Sequence, residues 1–199
     1  MCGIVAVAAR RDCTDILLEG LRRLEYRGYD SAGFALIDRA GQLSSHKTLG
    51  RVAALEAVQM ATPLSGGTGI AHTRWATHGA PSVANAHPHV INDRIAVVHN
   101  GIIENHELFR SALTAQGCEF ASETDTEVVA HLIALAIEEG GHDLVAAVQQ
   151  VLPQLKGAYA LAVIDRESPN QLVVARQGSP LVLGIGLGEY FAGSDTLAL

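Results

Sequence analysis

The strongest candidate nucleophile stands at the start of the chain, where Cys2 follows Met1 and precedes Gly3. A small second residue favours removal of the initiator methionine, which would give Cys2 a free α-amine beside its thiol. The pKa of an α-amine is about 7.7–8.0, against about 10.4 for a lysine side chain, so this amine can accept a proton near neutral pH. The sequence therefore predicts a thiol that carries its own base, with packing as a small apolar side chain as the alternative.

Three other positions carry groups that could act with such a thiol. Asn100-Gly101 lies between two apolar runs, which predicts a hairpin turn, and such a turn can aim the Asn100 amide and the Gly101 N–H at one oxyanion. Arg74 begins a polar segment, where its guanidinium could bind a carboxylate or simply stay exposed. Asp125 falls in the first turn of a predicted helix, where the helix dipole alone would favour a carboxylate.

The histidines and the other cysteines predict no metal site and no cofactor. The histidines in the middle of the chain match neither the HExxH nor the CxxC–HxxxH spacing of zinc sites: His72, His78, His87, His89 and His99. A papain-like pair, in which one of these histidines would activate Cys2, is the rival mechanism. Cys13 and Cys118 are predicted to be structural, and the lack of a CxxC pair favours a reducing compartment.

Hydrophobic periodicity predicts the scaffold that must hold these groups. Strands are predicted near both ends of the chain, at 4–8, 32–37, 42–47, 68–73, 159–165, 172–176, 181–185 and 190–192. Between them, 95–104 forms two apolar runs on either side of Asn100-Gly101. Helices are predicted to start near Thr14, at 49–60, after Asn105, after a Thr124–Glu127 capping box, and at 144–152. The segment 74–93 is predicted to be a long loop. Clustered strands favour layered α/β architecture with largely antiparallel sheets, in one domain spanning 1–199.

Composition narrows the class of protein further. Hydrophobic residues make up 48% of the 199 residues and charged residues 18%, which excludes intrinsic disorder. The net charge is −7 and no basic run is present, so we predict no nucleic-acid partner. No apolar run approaches the roughly 18–20 residues that a bilayer requires, so we predict no membrane partner and a cytoplasmic location.

Six short motifs occur in an order that resembles the class II glutamine amidotransferases, whose glutaminase domain is an N-terminal-nucleophile hydrolase. They are MCGIV, YRGYDSAG, HTRWATHG, NAHPH, HNGIIEN and SETDTE. The resemblance covers the whole chain. It implies an α/β (α+β) fold, a four-layer αββα sandwich with two mostly antiparallel sheets.

The resemblance also implies a role for each candidate residue in L-glutamine hydrolysis. Cys2 would be the nucleophile, and Asn100 with Gly101 would hold the oxyanion. Substrate binding would fall to Arg74, Thr77 and His78 at the α-carboxylate and to Asp125 at the α-ammonium. Trp75 would gate the passage of ammonia. No metal and no cofactor is implied.

Within this family, YRGYDSAG and Trp75 are most similar to the members that transfer ammonia to D-fructose 6-phosphate, giving D-glucosamine 6-phosphate. That similarity implies sugar-phosphate isomerase domains outside this chain, a glutaminase domain truncated at its C-terminal end, and a homodimer for the full-length protein. Ala6 departs from the family, in which glycine is common at this position. Two alternatives stay open: an amidotransferase with another acceptor, and a non-catalytic glutamine-sensing domain.

Overall fold

The computed structural model describes residues 2–76 and 79–199, and two β-sheets form its centre. The first sheet has the spatial order β3 (Leu43–Leu49), β2 (Ser31–Ile37), β4 (Thr68–Arg74), β1 (Gly3–Ala8), β10 (Tyr190–Gly193) and β9 (Val182–Ile185). The second has the order β5 (His89–Ile91), β6 (Ile95–Ile103), β7 (Gly157–Asp165) and β8 (Val173–Gln177). Neighbouring strands in both sheets pair antiparallel.

Helices cover the outer face of each sheet. The helices on the first sheet are α1 (Thr14–Leu24) and α2 (Val52–Ala61), and those on the second are α3 (His106–Ala115), α4 (Asp125–Glu138) and α5 (Leu144–Val151). Helix α1 buries Leu17, Leu21 and Leu24, whose spacing places them on one helical face, and Gly28 at φ +78° follows its last turn. The result is an αββα sandwich, as predicted. Across the described residues, no helix is both long and apolar enough to cross a bilayer.

The layer between the two sheets changes from apolar to polar side chains along the strands. Side chains alternate between the faces of a strand, so every second residue points into this layer. One half of it, the apolar half, is built from a cluster of buried hydrophobic residues that includes Ile4, Ala6, Ile70, Ala96 and Val98. The next inward positions on the same strands are Cys2 before β1, His72 on β4 and Asn100 on β6. With the buried His87 and His89, His72 and Asn100 form the polar half.

The predicted Asn100-Gly101 hairpin turn is wrong. Strand β6 runs without interruption from Ile95 to Ile103, and Asn100 and Gly101 pair with Ala160 and Tyr159 of β7. Gly101 has φ +128°, and a Cβ there would lie 2.0 Å from the carbonyl oxygen of Ala158. The glycine therefore serves close passage of two strands rather than a reversal of the chain.

Smaller corrections concern element ends. Helix α2 starts at Val52, not residue 49, because Leu49 ends strand β3. The predicted loop 74–93 contains strand β5 at its end. Asn105 occupies the position before α3, but its side chain donates to the Gln154 carbonyl and accepts from the Lys156 N–H instead of capping the helix. At α4, Thr124 accepts from the Glu127 N–H as predicted, but the rest of the capping box is wrong, because the Glu127 carboxylate accepts from the N–H groups of Ala121 and Ser122 and not from that of Thr124.

Candidate active site

Five of the predicted site residues meet at one small cavity at the polar end of the sandwich. Cys2, Arg74, Trp75, Gly101 and Asp125 line it, together with His87, His99, Thr124 and Thr126. Its volume is about 10 Å³, the room of roughly one water molecule. Thr77 and His78, the remaining predicted binding residues, lie outside the described residues.

The backbone and thiol of Cys2 are held from several sides. The Trp75 N–H donates to Sγ at 3.2 Å, and Sγ lies 3.5 Å from the Trp75 carbonyl oxygen. The Cys2 carbonyl accepts from Asn100 Nδ2 at 3.1 Å and from Arg27 Nη1 at 3.4 Å. Because β1 follows at once and pairs with β4 along its whole length, the thiol stands at the end of a strand that is fixed in the sheet.

Arg27 is in turn fixed by residues far along the chain. Its Nη2 donates to Asp195 Oδ2 at 2.5 Å, and the hydroxyl of Ser194 accepts from the Ile4 N–H at 3.0 Å. Hydrogen bonds from the Leu197 N–H, the Tyr26 hydroxyl and Arg27 lower the pKa of Asp195 to about 2. The end of β10 therefore helps to set the position of the N-terminal thiol.

The environment of Cys2 requires a base for its proton. Burial raises the pKa of the Cys2 thiol, and the hydrogen bond from the Trp75 N–H opposes that shift without cancelling it. Among residues 2–76 and 79–199, the hydrogen-bond partners of Sγ are the two backbone atoms of Trp75. No described carboxylate or imidazole therefore stands against the sulfur. An α-amine on Cys2 itself would meet this need.

Asn100 is a buried amide held at both ends. Its Nδ2 donates forward to the Cys2 carbonyl at 3.1 Å, and its Oδ1 lies 2.9 Å from His72 Nε2 behind it. The next residue, Gly101, lines the cavity with its backbone. A side-chain amide and a backbone N–H next to a thiol are the donors that an oxyanion requires.

Arg74 is buried at the end of β4, which overturns the alternative of an exposed loop arginine. Its Nη1 lies 3.7 Å from Asp30 Oδ1, and its Nη2 donates to the Gly79 carbonyl at 3.1 Å. Asp30 also accepts from the Ala76 N–H and donates its own N–H to the Arg74 carbonyl at 2.7 Å. Asp30 thereby fixes both the guanidinium and the backbone that follows it.

Asp125 is the first residue of α4 and also contacts strand β6. Its Oδ2 accepts from the Ile103 N–H at 2.8 Å and lies 3.9 Å from His99 Nδ1. The carboxylate is buried and lines the same cavity as Cys2. The helix-start and binding interpretations of Asp125 are thus compatible.

Trp75 combines a backbone that contacts the thiol with a side chain that faces outward. Its side chain is 54% exposed, and its ring lies so close to Gly28 that a Cβ there would be 2.7 Å from the ring. The indole therefore lies at the surface beside Gly28, while the backbone of the same residue contacts the thiol.

Buried histidines form the part of the site that the sequence did not predict. Burial lowers the pKa of His72 to about 3 and those of His87 and His89 well below the ordinary value, so all three are neutral. Thr126 Oγ1 lies 2.9 Å from both His87 Nε2 and His99 Nδ1. In the described part of the chain, no three acidic, cysteine or histidine side chains are grouped as a metal site.

Comparison with known families decides what kind of domain this is. Residues 72–199 match the family described as "Glutamine amidotransferase domain". The chain belongs to this family. The prediction of a glutamine amidotransferase is therefore confirmed.

Relatives of this amidotransferase domain are much longer than the chain. It is 58% identical over 199 residues to the glutamine–fructose-6-phosphate aminotransferase (isomerizing) of Escherichia coli K12, and 59% identical to that of Salmonella typhimurium LT2. The match covers 100% of this chain but 32% of each relative. The chain thus spans about a third of the length of these relatives.

Solved structures confirm the predicted fold class. The glutamine phosphoribosylpyrophosphate amidotransferase from B. subtilis superimposes with a TM-score of 0.84 at 30% identity, covering 99% of this chain and 42% of that one. A class II glutamine aminotransferase domain protein from Silicibacter pomeroyi has a TM-score of 0.61 at 18% identity, covering 96% and 88% of the two chains. At that identity the second comparison supports the fold alone.

Some residues of this amidotransferase site could have been found from the sequence, and others could not. His72 lies two positions after Ile70 and Asn100 two after Val98, so strand alternation places both in the inter-sheet layer. Nothing local connects Asp195 to Cys2, because Asp195 acts through Arg27, and the pairing of β1 with β10 brings these distant segments together.

Proposed function

We propose that this domain hydrolyses the side-chain amide of L-glutamine to glutamate and ammonia through a thioester on Cys2. The observation that carries the proposal is the convergence of Cys2, Arg74, Gly101 and Asp125 on one cavity in a glutamine amidotransferase fold. These residues supply a nucleophile, a cation, an oxyanion donor and an anion. Glutamine presents a matching amide, α-carboxylate and α-ammonium.

The reaction we assign begins with loss of Met1, which frees the α-amine of Cys2. The sulfur bonds to Cδ of glutamine while the amine takes the thiol proton. The negative oxygen that forms accepts from Asn100 Nδ2 and the Gly101 N–H, each worth roughly 2.7–4 kcal/mol in well-studied oxyanion sites. The protonated amine then returns its proton to the leaving nitrogen, and ammonia departs as the C–N bond breaks. Water cleaves the thioester, which releases glutamate and restores the thiol.

Binding of glutamine is assigned to two groups of opposite charge that line the cavity. Arg74 is proposed to hold the α-carboxylate as a bidentate pair, with Thr77 and His78 as further contacts, because a guanidinium fork fits two carboxylate oxygens. Asp125 is proposed to hold the α-ammonium. Trp75 is proposed to gate the ammonia that leaves Cys2, since it lines the cavity, its backbone contacts the thiol and its ring is exposed.

The acceptor is proposed from the relatives. Identity of 58–59% over the full chain supports fructose 6-phosphate as the acceptor, converted to glucosamine 6-phosphate by parts of a longer, homodimeric, cytoplasmic protein. In this proposal, residues 1–199 are one glutaminase domain, without a nucleic-acid or membrane partner. Adding fructose 6-phosphate to the full-length protein with glutamine should yield glucosamine 6-phosphate. If another acceptor gives the only aminated product, the acceptor assignment is wrong.

The glutaminase proposal is tested by covalent labelling. A glutamine analogue with an electrophile at Cδ should add once, at Cys2, and intact mass should show that Met1 is absent. Cys118→Ala, which changes a half-buried cysteine on another face, should label normally, whereas Cys2→Ala should not label and should release no glutamate. Ammonia release by a protein that retains Met1, or labelling of Cys118, would contradict the mechanism.

The binding assignment is tested with Arg74→Lys, which keeps the charge and loses the fork. We expect KM for glutamine to rise at least tenfold while kcat changes less, because the carboxylate is bound in both the ground state and the transition state. Arg94→Lys is the matched control, since Arg94 forms its own bidentate pair with Asp165 away from the cavity. An unchanged KM in Arg74→Lys would remove Arg74 from the binding site.

A further inference from the structure

His72 contacts Asn100 and not the thiol, and this contact has a defined polarity. Its Nε2 lies 2.9 Å from two oxygens, Asn100 Oδ1 and the backbone carbonyl of His99. Its Nδ1 is buried and has no hydrogen-bond partner among the described residues. Two acceptors at one nitrogen require that nitrogen to carry the hydrogen. His72 is therefore the tautomer protonated at Nε2.

Two backbone carbonyls, those of Cys2 and His99, fix the orientation of the Asn100 amide. In front of the amide, the Cys2 carbonyl can only accept, so it faces Nδ2. Behind it, the His99 carbonyl fixes Nε2–H on His72, so His72 faces Oδ1. A flipped amide would place Oδ1 against the Cys2 carbonyl and Nδ2 against the Nε2–H donor. Both contacts would then be repulsive in a buried site, where unmatched polar groups are costly.

The geometry points to His72 as a positioning residue for the oxyanion site, which keeps the Asn100 amide nitrogen turned toward Cys2 by donating from Nε2 to the amide oxygen. The inference rests on the proposed glutaminase function and deepens it. His72 is suited to this because it spans the two sheets, from β4 to β6, and stacks on His87 with ring centres 4.2 Å apart. Burial also keeps its ring neutral, since its pKa is lowered to about 3.

The tautomer can be tested without any substitution. ¹⁵N spectra of histidine-labelled protein distinguish a protonated from an unprotonated ring nitrogen. We expect His72 to have a protonated Nε2 and an unprotonated Nδ1 from pH 6 to 8. A proton on Nδ1, or a doubly protonated ring, would overturn the inference whether or not the protein hydrolyses glutamine.

The functional role is tested with variants that place a donor at different points. The amide nitrogen of His72→Gln can reach the position of Nε2, whereas His72→Asn is too short and His72→Leu has no donor. We expect His72→Gln to stay near wild type. His72→Asn and His72→Leu should lose kcat by roughly 10- to 100-fold, the range for outer partners that orient a reacting group. His46→Gln is the matched control. His46 lies on the edge strand β3, and its Nε2 also contacts a backbone carbonyl, that of Thr62, at 2.8 Å.

Inhibitor affinity separates positioning from a merely structural role. The γ-aldehyde analogue of glutamine adds the thiol and forms a thiohemiacetal oxygen at the oxyanion position. Across the variants the Ki of the aldehyde should rise in proportion to the loss of kcat/KM. The Ki of glutamate should change less than twofold. Equal weakening of both inhibitors, or equal activity of His72→Gln and His72→Asn, would contradict the role. Wild-type protein that releases no glutamate would instead contradict the proposed function.

Discussion

The two halves of the inter-sheet layer are made by the same strands and buried to the same degree, yet they are built from opposite chemistry. On β4, Ile70 packs into the apolar half and His72 into the polar half; on β6, Val98 and Asn100 divide in the same way. Apolar groups pack without a required direction. Each polar group must find a partner of the right sign at about 2.9 Å.

This difference explains why side-chain positions are fixed more strictly in the polar half than in the apolar half. Moving an apolar side chain slightly in the apolar half loses some contact area. Turning one amide in the polar half reverses two hydrogen bonds, to Cys2 and to His72. The chain of hydrogen bonds from His72 Nε2 through the Asn100 amide to the Cys2 carbonyl therefore holds a reactive geometry that hydrophobic packing alone would leave free.

Gly101→Ala should have the largest effect, because it disrupts the strand that carries the polar half. A Cβ at this position would meet the Ala158 carbonyl at 2.0 Å, in a backbone with φ +128°. We expect the free energy of unfolding to fall by more than about 4 kcal/mol, measured by denaturant titration.

Gly117→Ala is the control for backbone strain alone. Its φ is +94° and nothing lies within 4 Å of the added Cβ, so a loss of about 1–2 kcal/mol is expected. Equal losses in the two variants would mean that strand contact at Gly101 is unimportant.

Asn100→Ala and Val98→Ala compare the two halves on one strand face. Asn100→Ala should lower kcat about 10²- to 10³-fold, as loss of one oxyanion donor does. Val98→Ala should lower the free energy of unfolding by roughly 2 kcal/mol, because two buried methyl groups are lost, and should leave kcat/KM of the folded protein unchanged. Kinetic assays and denaturant titrations on both variants measure this. A 10²-fold loss of kcat/KM in Val98→Ala would contradict the conclusion that only the polar half sets the catalytic geometry.

Acid should destabilise the protein through its buried histidines. The pKa of His72 falls to about 3 in the folded protein, against about 6.5 when unfolded. Between pH 6.5 and 5 only the unfolded state binds this proton, so folding free energy is lost as pH falls. One such group gives a slope of about 0.7 kcal/mol per pH unit at pH 6.5, which rises to about 1.4 kcal/mol per pH unit near pH 5.

In His72→Gln, the free energy of unfolding should therefore depend less steeply on pH, by about the slope that one histidine contributes. In Val98→Ala, the free energy of unfolding should be lower by the same amount at every pH. Denaturant titrations at several pH values between 6.5 and 5 test both statements. A His72→Gln curve as steep as that of wild type would show that this histidine is protonated in the folded state.

The smallest effect is expected for Ile70→Val, two residues from His72 on the same face of β4. Loss of one buried methyl group should cost about 0.5–1.5 kcal/mol of unfolding free energy. The kcat/KM for glutamine should stay within twofold of wild type. A larger kinetic change would mean that packing in the apolar half sets the geometry of the polar half.

Local patterns in the sequence determined much of this molecule. The strands, the starts of α1 and α4, and the candidate residues Cys2, Arg74 and Asp125 all follow from side-chain periodicity, capping chemistry or motif resemblance, which depend on neighbours in the chain. These patterns predicted the αββα architecture and the amidotransferase family.

Tertiary structure alone decided the rest. Asn100-Gly101 has the local signature of a hairpin, but strand β7 lies alongside and the close passage of Ala158 requires the glycine. The neutral state and tautomer of His72 depend on burial and on the carbonyl of His99, a residue on another sheet. The charge state of a side chain and the direction of its hydrogen bonds depend on neighbours that come from distant segments of the chain. A local sequence pattern therefore cannot predict them.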